Sequence, residues 1–210
     1  MIIGLYILVL VGLYLSSKSK YYVYVKSVSS LSFVVIALLG AIHSHSFIYF
    51  YSIVPGLIAF MIGDILLGTK KKEWVIYAVY AFLIGNIIFT IFFMKFIRIS
   101  PILFIPSVIM MIILTLLEHQ EYIKMKEIRT PIYIYSFILT MTLCASCMTY
   151  IHMNSLFFKL IMMGYILYFI SDLLLISNRL GNDKSKVITE INHILYYGGL
   201  FLISYSFYIL

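Results

Sequence analysis

Polar positions divide this chain into eight apolar runs. They cover 2–17, 26–43, 47–68, 74–94, 100–117, 131–150, 155–177 and 188–209. A helix needs about 20 mostly apolar residues to cross roughly 30 Å of hydrocarbon, and each run is of that order. The runs are continuous and do not alternate polar with apolar residues over about ten positions, as a barrel strand does. The pattern therefore predicts an all-α polytopic membrane protein with eight transmembrane helices forming a single domain over residues 1–210. The first run begins Met1-Ile2-Ile3-Gly4, with no basic stretch ahead of it and no small-residue cleavage site, so it reads as a retained span.

Composition strengthens this reading. Hydrophobic residues make up 63% of the chain and charged residues 11%, with mean hydropathy +1.07, whereas a soluble domain is about 45–50% apolar. A net charge of +7 in a soluble protein would point toward nucleic acid, but here the placement of the bases accounts for it. Twelve of the fifteen basic residues, from Lys18, Lys20 and Lys26 to Arg179, Lys184 and Lys186, fall around the ends of runs one, three, five and seven. Only Lys95, Arg98 and Lys159 fall on the other side. The positive-inside rule then makes those odd-numbered connections cytoplasmic and turns both termini outward, in a multi-pass protein of the cell membrane. No nucleic-acid partner is expected. Anionic membrane lipids are natural neighbours for the lysines.

Two acids interrupt this apolar background in matching surroundings. Phe60-Met61-Ile62-Gly63-Asp64-Ile65-Leu66-Leu67 and Tyr168-Phe169-Ile170-Ser171-Asp172-Leu173-Leu174-Leu175 share the order aromatic, two apolar, small, Asp, three aliphatic. The aspartates are 108 residues apart, about half the chain. Each precedes a basic residue, Lys71 or Arg179, by seven positions, so both lie at one depth, roughly 10 Å below the headgroup level at 1.5 Å per residue. An acid within a membrane segment costs about 2.5–3.5 kcal/mol on insertion scales and marks a functional site by default. Lys26-Ser27 opening run two and Arg129-Thr130-Pro131 opening run six, 103 residues apart, extend the match toward two similar four-helix halves, 1–99 and 100–210.

The aspartate motifs resemble the two signatures of the YhhN-like membrane proteins, the lysoplasmalogenase family, as do the eight-run length and Arg129-Thr130-Pro131-Ile132-Tyr133-Ile134-Tyr135 at the start of run six. Three positions depart from that family's pattern: Asn86 follows Gly85 where His is frequent, Leu200 follows Gly198-Gly199 where Gln is usual, and Ser27 replaces a proline. The resemblance implies hydrolysis of the vinyl ether bond of a lysoplasmalogen, a lysophospholipid substrate, to a fatty aldehyde and a glycerophospho-base. Asp64 and Asp172 would be the catalytic pair, one protonated and one ionised, without a cofactor or metal. Lys26 and Arg129 are candidates to hold the lipid phosphate or to anchor helix ends, while Asn86 and Tyr197 are candidates for hydrogen bonding in the cavity or for packing between helices.

The same acids also suit a rival of another class, a small proton- or cation-coupled carrier. Other chemistry finds little support. His43, His45 and His152 fall on the outer side, His119 and His193 on the inner, so no three are expected to meet around a metal. Cys144 and Cys147 lie within one apolar helix and read as small packing residues. Pro101 is expected at an opening turn and Pro106 inside the following helix. The oligomeric state is left open.

Overall fold

The computed structural model describes residues 2–17, 19–125, 128–181 and 184–210; Lys18 and Lys126, two of the twelve basic residues counted above, lie outside them. The described chain is helical throughout: α1 Ile2–Ser16, α2 Tyr22–His43, α3 Phe47–Gly68, α4 Lys72–Phe93, α5 Pro101–His119, α6 Arg129–Met153, α7 Leu156–Leu180 and α8 Lys186–Tyr205, followed by a 3-10 turn, Ser206–Ile209. Six of these, α2 to α7, are long and apolar enough to cross a membrane. Helix α1 has 15 residues, and α8, with 20, carries Lys186, Glu190, Asn192 and His193 in its first half. The expected count of eight spans is therefore met by length and composition in six. Pro101 occupies the first turn of α5 and Pro106 lies within it.

One boundary matters for the site. Lys26 was expected to open run two, but α2 begins at Tyr22, a full turn earlier, which places Lys26 inside the helix and buries it. Arg129 does open its helix. Two positions that look equivalent in sequence therefore occupy different depths.

Six helices close into a ring: α2 packs on α3, α3 on α4, α4 on α6, α6 on α7, α7 on α8, and α8 returns to α2. Helix α1 lies outside the ring against α2 and α8, and α5 lies outside against α6. The peripheral place of α5 shows in its burial, 17% of its apolar window against 56% for α6. Advancing each ring helix by four in chain order reproduces the same neighbours, because α2, α3 and α4 map onto α6, α7 and α8.

Glycine pairs stand at two close helix crossings. A Cβ on Gly85 would lie 3.1 Å from the Gly56 carbonyl oxygen, and one on Gly199 would lie 2.5 Å from that of Gly164. Such small residues let helix backbones approach closely in lipid, where shape and not water expulsion drives association. Gly56 and Gly164 each stand eight residues ahead of an aspartate, so α3–α4 and α7–α8 are pinned at corresponding levels. At the end remote from the lysine-rich connections, aromatic rings fill the bundle: Tyr49 stacks on Phe157 with centroids 5.4 Å apart, and Phe96 meets Phe158 at 4.9 Å.

Candidate functional site

The two aspartates face the inside of the ring. On a helix, residues four apart share a face, and four residues before each aspartate stands the motif aromatic, Phe60 or Tyr168. These two rings meet across the ring interior, with centroids 5.0 Å apart. Asp64 is 1% exposed and Asp172 5%.

Asp64, on α3, is held by side chains from two other helices. Lys26 and Ser30, one turn apart on α2, both reach it: Lys26 Nζ lies 3.1 Å from Oδ1, and Ser30 Oγ donates to Oδ2 at 2.6 Å. From α8 the Tyr196 hydroxyl donates to the same oxygen at 2.8 Å. A carboxylate this deeply buried is tolerable because its charge is matched and both oxygens are hydrogen-bonded. Ser30 also contacts the Tyr197 hydroxyl at 3.2 Å.

Asp172 has a different environment. Its Oδ2 accepts from the Tyr135 hydroxyl of α6, and no described lysine or arginine pairs with it. Tyr135 lies 3.0 Å from the Tyr168 hydroxyl, which in turn accepts from Asn86 Nδ2 at 3.2 Å. The amide is itself fixed by donating to the Phe82 carbonyl at 2.9 Å. A buried string of polar groups thus links α4, α7 and α6 to one carboxyl. Asn192 ties α8 to the residue before Asp172, donating to the Ser171 carbonyl at 2.6 Å and to its hydroxyl at 3.0 Å.

Two adjoining cavities open toward the lysine-rich end. The smaller, about 250 Å³, touches both carboxyls together with Lys26, Tyr196 and Asn192. The larger, about 910 Å³, has Asp172 and Tyr135 in its lining, apolar walls from residues such as Val79, Ile132 and Ile176, and several lysines. Phe82, Leu175 and Arg179 line both. The connection between α5 and α6 folds back toward the larger cavity, where Lys124 N donates to the Leu180 carbonyl at 2.9 Å.

Of the residues singled out from sequence, Asp64, Asp172 and Lys26 line one cavity. Asn86 reaches Asp172 through two tyrosines, and Tyr197 is fully buried behind Ser30. Arg129 does not come near them: its Nε lies 2.9 Å from a Glu118 carboxylate oxygen, and its guanidinium sits over the Tyr133 ring on the α5 side. Among the described residues no group of three His, Cys, Asp or Glu is placed to hold a metal, and both cysteines are free thiols. Ser30, Tyr196 and Asn192 were not singled out from sequence, and Tyr135 and Tyr168 entered only as motif positions. Ser30 and Tyr168 left a signal, their four-residue spacing from Lys26 and Asp172.

The sequence pattern of the YhhN family matches residues 21–207. The chain belongs to the YhhN family. Within this YhhN-family chain the match runs from the start of α2 past the end of α8, so it contains both aspartate motifs and every side chain described around them. No curated protein and no solved structure matches the chain. Asn86 and Leu200 have corresponding positions, each the residue after a crossing glycine, Gly85 or Gly199.

Proposed function

We propose that this protein is a lysoplasmalogenase-like hydrolase of the membrane, cleaving the vinyl ether of a lysophospholipid with Asp64 and Asp172. The observation that carries the reading is that two buried carboxyls with unlike partners line one cavity. Asp64, ion-paired with Lys26, acts as the carboxylate. Asp172, whose described partner is a tyrosine hydroxyl, acts as the acid through its other oxygen.

A vinyl ether is opened by a proton added to its β carbon, which leaves an oxocarbenium-like cation at the carbon bonded to oxygen. Asp172 delivers the proton, and Asp64 stabilises the cation and orients a water. Addition of that water gives a hemiacetal, which collapses to the fatty aldehyde and the glycerol hydroxyl. The overall change consumes one water, and the division of labour parallels glycoside hydrolysis by paired carboxyls. All eight helices cross the bilayer in this reading, with the lysine-rich end cytoplasmic and the termini outside. The matched glycine crossings support treating 1–99 and 100–210 as related halves.

The test is purified protein with a 1-alkenyl lysophospholipid in heavy water. Aldehyde bearing one deuterium on the carbon next to its carbonyl is the expected product. Absence of aldehyde, together with coupled uptake of an ion or solute into vesicles, would instead establish the carrier.

A further inference from the structure

Two cations suggested by sequence for the lipid phosphate are already matched by acids, Lys26 by Asp64 and Arg129 by Glu118. The larger cavity carries a separate set. Lys72 at the start of α4, Lys124 in the α5–α6 connection, Arg179 near the end of α7, and Lys184 and Lys186 before and at the start of α8 all line it. None of the five forms an ion pair with a described acid. The only carboxyl among its described lining residues is Asp172. The cavity therefore combines basic side chains, apolar walls and one reactive acid.

We propose that this cavity binds the phosphate of a single-chain glycerophospholipid, with Arg179 and the four lysines taking the phosphate oxygens. Arg179 follows Asp172 by seven residues, two helical turns, on the same face of α7. That separation, roughly 10 Å along the axis less the reach of both side chains, suits a glycerol unit between a phosphate at the mouth and an ether bond at the carboxyl. A guanidinium offers paired donors in the geometry of phosphate oxygens, and the lysines add charge that does not depend on one headgroup pose. The valine and isoleucine walls accommodate hydrocarbon. This assignment rests on the hydrolase reading for the orientation of the lipid, but not for its binding.

The experiment separates the two. The full chain in neutral-lipid nanodiscs is titrated with a labelled 1-O-alkyl lysophosphatidylethanolamine, whose saturated ether cannot be cleaved, so binding is read without turnover. Arg179→Gln and the pair Lys124→Gln/Lys184→Gln are each expected to weaken binding about tenfold or more, the scale of lost charge-assisted hydrogen bonds, and to flatten its dependence on salt. Arg179→Lys should recover part of the loss, and Lys159→Gln, at the other end of the bundle, should change nothing. A monoacylglycerol of equal chain length should bind the wild type more weakly and be indifferent to the same variants.

Unchanged lysolipid affinity in both sets of variants would overturn the proposal, as would equal affinity for the phosphate-free lipid. Inorganic phosphate displacing the lysolipid at comparable concentration would also overturn it, by assigning the cations to a soluble anion. Intact, charge-dependent lysolipid binding without aldehyde release from the alkenyl substrate would sustain the phosphate site while removing the hydrolase.

Discussion

Phe60 and Tyr168, each four residues ahead of an aspartate, meet with ring centroids 5.0 Å apart in the middle of the helical ring. This contact sets the phase of α3 and α7 so that both acids face one interior. Replacing Asp64 or Asp172 with Asn keeps shape but removes the acid–base function. Either change is expected to lower aldehyde release by about 10²–10⁴-fold, measured at a temperature where each variant is folded, because Asp64→Asn also leaves Lys26 without its counter-charge and lowers the melting temperature. Full activity in either variant would remove that residue from the chemistry.

Lys26 and Asp64 are more than 90% buried and depend on each other. Lys26→Met leaves a carboxylate without its cation in the bundle interior, a loss of about 3–5 kcal/mol for broken buried pairs. The double variant Lys26→Met/Asp64→Asn should recover much of that stability without recovering activity. A thermal-unfolding double-mutant cycle checks it, and additive losses would show that the pair is not coupled.

Tyr135 donates to Asp172, and Tyr168 stands one hydrogen bond further away. Tyr135→Phe is expected to reduce turnover about ten- to a hundredfold, in keeping with the loss of one hydrogen bond to the carboxylate that Asp172 becomes as it gives up its proton. Tyr168→Phe should cost less. The comparison is made on kcat with folding monitored in parallel, and the reverse order would show that the string does not act on Asp172 through Tyr135.

Gly199→Ala would place a methyl group 2.5 Å from the Gly164 carbonyl oxygen and 3.0 Å from the Tyr168 backbone nitrogen. Backbone cannot yield as a side-chain tip can, so α7 and α8 must separate, at a cost of about 1–3 kcal/mol. Gly4→Ala, whose added Cβ meets nothing within 4 Å, serves as the control and should change stability by less than about 0.5 kcal/mol. Equal melting temperatures for the two variants would contradict the close crossing.

The helices were legible because an apolar run broken by charge is a strong signal: the runs 47–68 and 74–94 lie within two residues of the observed α3 and α4. The aspartates were legible for the same reason, since an acid stands out in such a background. Their partners did not stand out. Tyr135, Tyr168 and Tyr196 are three of 19 tyrosines, and only the closed ring, which depends on α4 meeting α6 and α8 returning to α2, distinguishes them from tyrosines facing lipid. Arg129 was grouped with Lys26 because both appeared to open helices. The extra turn on α2 carries Lys26 inward, while the first residue of α6 falls beside Glu118 on peripheral α5.

The packed aromatic end gives the molecule a direction. With Tyr49, Phe96, Phe157 and Phe158 interlocked there, the compartment holding the acids is a cul-de-sac. In this arrangement a guest must leave by the door through which it entered. An amphiphile could back in from one leaflet, react, and withdraw while the opposite face of the bilayer stays sealed against leakage.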